Sequence, residues 1–246
     1  MKQGRTKKQH VLPGRSIQRF CTSGEHVYVK RRVDNIFSVP PRNQIFCAYL
    51  KWGEDMESGI KKVEDDYQAL ADRIVDGYRS LEPSEHAILN QFFALISQRS
   101  RVRYLDYRDS ESIFDHTTVN YNENLDELKQ ANEEREQSFS SRGPEDKSTD
   151  RAAASFAILM GLTQAADSKD TWGIVTTRDR FVGSDTYHVH SIIPVSPTIY
   201  LARNGRDELL DKDDTAMTNR LIVFNARSYV FSDDRDLLEG LPNPAD

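Results

Sequence analysis

Apolar residues recur at helical spacing in two neighbouring stretches of this sequence. From Met56 to Tyr78 they return every three or four residues, which predicts an amphipathic helix with one apolar stripe. A second helix is predicted to start near Pro83, because proline suits a first turn, and to run into the arginine-rich segment 98–104. Only residues 77–83 connect the two, so we expect the helices to be antiparallel neighbours.

Runs of β-branched and aromatic residues between Gly, Asp, Ser and Pro predict strands in two other regions. Residues 26–30 and 37–41 are typical of a small hairpin, and residues 173–177 and 192–201 are typical of short strands further along the chain. These patterns predict a single α+β domain over residues 1–246, mainly helical, with a small antiparallel sheet built from the two regions.

Three further helices complete the expected fold. A short helix begins near Pro13, a longer one spans residues 152–166, and the last spans residues 213–231. The residues expected to be buried are Phe156, Leu159 and Met160 in the middle helix, and Met217, Leu221, Phe224 and Tyr229 or Val230 in the last.

The segment of residues 121–150 differs from the rest of the chain. It is polar, rich in acidic residues and nearly free of apolar periodicity. Its second half combines Ser, Gly and Pro, which is typical of an exposed loop. We interpret the segment as a polar acidic insertion or linker within the single domain.

Composition limits the classes of protein to which the chain can belong. Hydrophobic residues make up 37% and charged residues 29% of the sequence, which is typical of a soluble globular protein. No apolar run approaches the roughly 18 residues of a membrane span, and the N-terminus lacks the apolar segment of a secretory signal. Two cysteines without metal-site spacing, Cys21 and Cys47, indicate reduced thiols, so we expect a cytoplasmic protein with no membrane partner.

A net charge of −6 argues against wholesale wrapping of nucleic acid but permits a local basic patch. Arg101, Arg103 and Tyr104 are the candidate nucleic-acid contacts, because guanidinium groups match phosphate oxygens and aromatic rings stack on bases. Alternatively, these arginines complement the negative end of their helix and pair with Asp106 or Glu64. Arg99 is the arginine expected to point inward with the apolar face of the helix.

His188 and His190 form another polar feature. If residues 187–193 form a strand, both side chains project from the same face. They could then act as a pair of ligands, although a polar strand face is the commoner interpretation.

Short motifs in three separated parts of the chain, taken in order, resemble those of a known family. They are His10-Val-Leu-Pro13 with Ile17 and Phe20, then Gln98-Arg99, then Phe181-Val-Gly-Ser184-Asp185 before Pro194-Val-Ser-Pro197.

The family is an uncharacterised prokaryotic one, defined only by a domain of unknown function. Its members begin His-x-x-Pro-x-x-x-Leu-x-x-Phe and later carry Ser-Asp-Asn-Pro and a Pro-Leu-Ser-Pro strand, and residues 219–231 look like its closing helix. The present sequence has Thr186-Tyr187 where Asn-Pro is usual. The resemblance implies a soluble bacterial or phage-borne protein, and it implies no activity.

The polar positions that match this family are our candidate catalytic residues. A histidine, a carboxylate and an arginine that converge in a cleft suit phosphodiester cleavage, as base, as orienting group or metal ligand, and as charge stabiliser. The enzymatic hypothesis is therefore a nuclease or RNase-like effector, with or without a divalent metal. The candidate residues are His10, Glu64, Arg99, Ser184 and Asp185.

The alternative hypothesis is a non-catalytic regulatory module. In that case the same polar residues hold the helices on the sheet, and the arginine-rich surface binds nucleic acid or another protein. The sequence contains no Gly-rich phosphate loop and no Gly-x-Ser-x-Gly turn, so the common hydrolase motifs do not favour the enzyme.

Overall fold

The computed structural model describes residues 8–21, 25–31, 36–49, 52, 54–104, 148–189 and 191–244. Within these ranges the chain forms six helices and three sheets of two to four strands, which confirms the α+β class. The sheets are more extensive than the one small sheet expected from the sequence. None of the described helices combines the length and the apolar character needed to cross a membrane.

The helices of the first half of the chain follow the sequence pattern closely. The first begins directly after Pro13, and the second buries its predicted apolar stripe in the core. The second and third pack as neighbours through the stacked rings of Tyr67 and Phe92, whose centres are 3.4 Å apart. The helices are α1 (Gly14–Gln18), α2 (Glu54–Val75), α3 (Pro83–Tyr104), α4 (Ser148–Ala166), α5 (Lys212–Asn225) and α6 (Arg235–Gly240).

The strands of the described residues are β1 (Lys8–His10), β2 (Val27–Arg31), β3 (Ile36–Val39), β4 (Cys47–Tyr49), β5 (Trp172–Thr177), β6 (Gly183–Ser184), β7 (Ile192–Ser196), β8 (Ile199–Arg203), β9 (Glu208–Leu210) and β10 (Tyr229–Ser232). They form a two-stranded sheet, β1-β4, and two four-stranded sheets, β3-β2-β10-β6 and β7-β8-β5-β9. All the pairings in the described residues are antiparallel except that of β5 with β9.

The predicted N-terminal hairpin is confirmed, but its partner strand differs from the prediction. β2 pairs with β3 on one edge and, on the other, with β10 from the far end of the chain, where Phe231 lies opposite Val29. Of the strands between residues 172 and 201, only β6 joins this sheet, through β10. The other strands of that region form a separate sheet with β9, so the expectation of one shared sheet is confirmed only for β6.

The helix predicted over residues 213–231 ends at Asn225, and residues 229–232 form β10 instead. The backbone N–H groups of Arg227 and Ser228 donate to the carboxylate of Asp185, at 2.9 and 2.8 Å, so they cannot continue the helical ladder. The aromatic and β-branched residues that follow suit a strand, and all four residues of β10 are buried.

The buried face of α5 also differs from the prediction. Met217, Leu221 and Phe224 are 63%, 52% and 70% exposed, whereas Asn219 is buried. The side-chain oxygen of Asn219 accepts a hydrogen bond from the backbone N–H of Val182 at 3.0 Å. A buried amide thus satisfies a backbone group, while the apolar residues face outward.

Two predictions near α4 also need correction. Leu159 is exposed and Ala154 and Ile158 are buried, so the helix packs through a different face from the one predicted. Residues 148–150, the end of the predicted insertion, belong to α4. The remainder of that insertion, 121–147, lies outside the described residues.

The strand that would align His188 with His190 does not form over the residues that are described. Residues 185–189 contain bends between β6 and β7, and His188 lies in one of them. His190 lies outside the described residues. The proposed pairing of His188 with His190 therefore stays a prediction.

Aromatic rings pack tightly beneath the sheet that contains the hairpin. The ring of Phe231 contacts those of Phe20 and Phe46 edge to face, with centres 5.2 and 5.7 Å apart. Gly183 lies so close to Phe231 that a β-carbon at position 183 would overlap the ring. This close approach of β6 to β10 fixes the position of Asp185, which follows β6 directly.

Asp170 links the start of β5 to the end of β8 and gives the fold a predictable acid sensitivity. Hydrogen bonds from Ser168, Asn204 and Arg203 hold the pKa of Asp170 at about 2. Because this value lies below that of the unfolded chain, the carboxylate stabilises the fold above pH ~4, and the contribution is lost as the pH falls towards 2. Asp170→Asn is expected to lower the Tm at neutral pH and to flatten the fall in Tm between these pH values.

Thermal unfolding followed by circular dichroism from pH 7 down to pH 2 tests this expectation. Asp66→Asn removes an exposed carboxyl group from α2 and controls for the change in net charge. If Asp170→Asn and the wild-type protein lose stability equally in acid, the stabilising role of Asp170 is excluded.

Candidate functional site

The last two turns of α3 carry the polar residues on which the candidate site is built. Arg99, Ser100, Arg103 and Tyr104 extend from this helix to α2, to the segment after β6 and to β10. Arg99 and Arg103, and likewise Ser100 and Tyr104, are four residues apart, so the four side chains cover two adjacent faces of α3 and contact several elements. The end of α3 therefore contacts α2, which is earlier in the chain, and the segment after β6 and β10, which are later in the chain.

Arg99 is buried, as the sequence predicted, with 1% of its side chain exposed. It forms an ion pair with Glu64 of α2, whose side chain is 24% exposed, and its guanidinium carbon lies 5.2 Å from the centre of the Trp52 ring. The amide of Gln9 in β1 donates to the backbone oxygen of Trp52 at 2.9 Å and accepts from its N–H at 3.2 Å. Arg99 thus connects α3 to α2 and, through Trp52, to β1.

Asp185 is also buried, at 1% exposure, and its carboxylate accepts four hydrogen bonds. One oxygen accepts from the Thr186 hydroxyl at 3.1 Å and the Arg227 N–H at 2.9 Å. The other accepts from the Ser228 N–H at 2.8 Å and from the Tyr104 hydroxyl. Burial and the neighbouring carboxylate raise the pKa of Tyr104, so its phenol stays protonated and donates.

Ser184 is buried beside Asp185. Its hydroxyl lies 3.3 Å from the backbone oxygen and 3.4 Å from the backbone nitrogen of Thr186, so it closes a local turn. A small pocket adjoins it, and its other lining residues are Val182, Gly183, Tyr187, Ile192, Pro194, Tyr200 and Ile222. This mainly apolar lining does not suit a charged phosphodiester.

His10 lies in β1, opposite Cys47, and therefore in a different sheet from Ser184. Its Nε2 atom is beside Gly14 at the start of α1. The structure thus places the five candidate catalytic residues in three positions, and their catalytic roles stay predictions. These positions are the Glu64–Arg99 pair, the adjacent Ser184 and Asp185, and His10 on β1.

Guanidinium groups and aromatic rings alternate at the end of α3. The guanidinium carbon of Arg103 lies 5.1 Å from the ring centre of Tyr229 and 5.2 Å from that of Tyr104, and Arg227 lies 4.7 Å from Tyr104. Arg103 donates to the Tyr229 hydroxyl at 3.0 Å and to the backbone oxygen of Ile45 at 2.6 Å. Its hydrogen bonds within the described chain are therefore made to neutral acceptors.

Arg101 lies three residues before Tyr104, so the two are neighbours on the surface of α3. Arg101 is half-buried and Arg227 is exposed, and neither forms an ion pair with a described residue. We refer to Arg101, Arg103, Tyr104 and Arg227 as the α3 basic cluster. The three predicted nucleic-acid contacts are thus close together, and Arg227 adds a fourth member.

Sequence reasoning missed Ser100, Trp52 and Arg227. The Ser100 hydroxyl donates to the backbone oxygen of Asp185 at 2.9 Å and lies 3.4 Å from Nδ1 of His188. Ser100 and Tyr104 are four residues apart and share one side of α3, and that spacing could have indicated a polar contact. No sequence pattern near Trp52 or Arg227 indicates that either residue contacts α3.

A divalent metal stays a prediction as well. Among the residues that the structure describes, no group of three or more His, Cys, Asp or Glu side chains is placed to hold a metal ion. The described members of the α3 basic cluster are cationic or aromatic and suit an anion instead.

Comparison with family models, with curated proteins and with solved structures finds no match to this chain. The resemblance to an uncharacterised prokaryotic family therefore stays a prediction based on the motifs.

Proposed function

We propose that this chain binds nucleic acid through the α3 basic cluster and acts as a regulatory module. The observation that carries the proposal is the stacking of Arg227 on Tyr104, next to Arg101, with no carboxylate partner for either arginine among the described residues. Like charges that lie close together repel each other, so an anionic partner would stabilise a cluster of this kind.

The stacking favours phosphate as the group that is recognised. A guanidinium presents donors in a planar fork that matches phosphate oxygens, and an aromatic face beneath it fixes the plane of the fork. Tyr104 is itself fixed by its hydrogen bond to Asp185. The ring of Tyr104 thus serves as a support for Arg227 more than as a surface for a base.

The proposed binding is local and independent of base sequence. Three arginines offer at most about three phosphate contacts, and the net charge of −6 repels nucleic acid elsewhere on the chain. Contacts to phosphate release counterions, so the logarithm of the affinity should fall with the logarithm of salt concentration with a slope of about −2 to −3.

Arg101→Glu is expected to weaken retention on nucleic acid about tenfold and to make the salt slope shallower by about 1. The reason is the loss of one phosphate contact at the exposed edge of the cluster, in a residue whose side chain has no described hydrogen bond to lose. Fluorescence anisotropy with labelled single-stranded and duplex oligonucleotides, at several salt concentrations, provides both quantities.

Arg206→Glu is the matched control, because it reverses the charge of an exposed arginine in the β8–β9 connection. Equal loss of affinity in both variants would mean that net charge alone decides the retention. No retention by the wild-type protein at low salt would overturn the proposal and favour a protein partner for this surface.

Phosphodiester cleavage is the second candidate function, and its support is the accessible edge of the Glu64–Arg99 pair. Against it stands the burial of Arg99, Ser184 and Asp185, which leaves a substrate little access to them. Incubation of the wild-type protein with labelled tRNA and DNA, with and without Mg²⁺ or Mn²⁺, tests this function. Cleavage that a folded Arg99→Met variant lacks would establish the nuclease and replace the binding module.

A further inference from the structure

One face of α5 carries an apolar stripe that the described residues leave exposed. Met217, Leu221 and Phe224 follow one another at four and three residues, so they lie on the same face of the helix. Leu209 in the edge strand β9, immediately before the helix, is also 59% exposed. Clustered exposed apolar side chains of this kind are typical of an interaction site.

Charges of opposite sign lie beside this stripe. A helix turns by about 100° per residue, so Asp213 and Arg220 fall on the same side of the stripe, two turns apart. Their separation along the axis is about 10.5 Å, which is too long for an ion pair within one molecule. Both side chains are exposed, and neither forms an ion pair with a described residue.

We propose that this face binds a second copy of the same chain, with the two α5 helices antiparallel about a two-fold axis. In such a pair, if residue i of the first copy contacts residue j of the second, residue j of the first copy also contacts residue i of the second. Every contact therefore occurs twice. An axis that passes between residues 216 and 217 puts Asp213 opposite Arg220 of the second copy, and Arg220 opposite Asp213. On this side of the stripe, each charged residue of one copy therefore faces a residue of opposite charge in the other copy.

The same register is consistent with the apolar residues. Met217 packs near its own counterpart at the axis. Leu221 and Phe224 extend over the N-terminal end of the second α5, where Leu209 of that copy adds apolar surface. The four exposed apolar side chains are then used in one symmetric contact.

The proposed contact is small. A stable interface usually buries about 800 Å² on each partner, and one helical stripe with its charged edge supplies less. We therefore expect a weak dimer whose population depends on protein concentration. This inference goes beyond nucleic-acid binding and does not depend on it.

Sedimentation velocity of the full chain over a range of concentrations is the first test, and the wild-type protein should shift from monomer to dimer. Asp213→Lys and Arg220→Asp should each weaken the dimer at least about tenfold, because each places like charges opposite one another twice. A mixture of the two variants should restore dimer, since both ion pairs form again between unlike copies. Phe224→Ser should weaken it at least about tenfold through lost apolar contact.

Circular dichroism must first show that each variant keeps the wild-type helix content. Arg42→Asp, a charge reversal at an exposed arginine outside α5, should leave the dimer unchanged. A wild-type protein that remains monomeric at every concentration would overturn the proposal. So would single variants that lose the dimer when their mixture does not regain it, because the partner face would then not be α5 itself.

Discussion

Asp185→Ala is expected to lower the free energy of unfolding by about 3–5 kcal/mol. The carboxylate of Asp185 is 1% exposed and accepts from two backbone N–H groups and two hydroxyls. Alanine would remove the acceptor that these four donors share in a buried site, and each unsatisfied buried donor costs about 1–3 kcal/mol, in a manner that is not additive. Urea unfolding followed by circular dichroism measures the change.

Two comparisons make this result specific. Asp66→Ala removes an exposed carboxylate from α2 and should change the free energy of unfolding by no more than about 0.5 kcal/mol. Tyr104→Phe removes one of the four donors and should cost about 1 kcal/mol. An Asp185→Ala protein as stable as the wild type would show that this carboxylate is not structural and would strengthen its catalytic candidacy.

Arg99→Ala is expected to cost about 3–5 kcal/mol of stability. The substitution removes one of the largest fully buried side chains, its ion pair with Glu64 and its contact with the Trp52 ring. Arg99→Met keeps most of the packed volume, so the difference between these two variants separates lost packing from lost charge. Chemical denaturation again provides the free energies.

Arg101→Ala is the matched control, because it removes a half-exposed arginine two residues away on the same helix. Its effect should stay within about 0.5 kcal/mol. A double-mutant cycle with Glu64→Gln should give a coupling of about 1–3 kcal/mol for the ion pair. Additive effects of the two substitutions would mean that the pair contributes nothing beyond its separate side chains.

Local patterns predicted α2 and α3 because both helices bury a stripe that repeats with the helical period. The inward direction of Arg99 followed from its place on the apolar side of α3, and Glu64 was a named partner for an arginine of this turn. Such predictions succeed where the nearest neighbours in sequence determine the burial.

The end of α5 and the strand after it could not be predicted in this way. The acceptor that binds the N–H groups of Arg227 and Ser228 is Asp185, more than forty residues earlier in the chain. The faces of α5 were misassigned for a related reason, since Asn219 is buried to satisfy distant backbone groups while Phe224 stays exposed. Tertiary contacts outweigh the helical pattern at both places.

In the candidate site, too, some residues could be identified from the sequence and others depend on tertiary contacts. The motifs singled out Ser184 and Asp185, and the structure shows that both bind neighbouring backbone, but whether they also act in chemistry is a prediction. Arg227 joins Tyr104 only because α5 ends where it does, so no spacing in the sequence could have placed it there.

The pairing of β2 with β10 has a consequence for synthesis of the chain. The Lys30 ammonium in β2 donates to the backbone oxygen of Leu238, 208 residues away, beside the strand that completes the sheet. The ribosome synthesises residue 30 long before residue 230, so one edge of the hairpin stays unpaired until β10 has been synthesised. Contacts of such long sequence separation slow folding and expose strand edges to aggregation. We therefore expect the N-terminal hairpin to be the part of the nascent chain that most needs a chaperone.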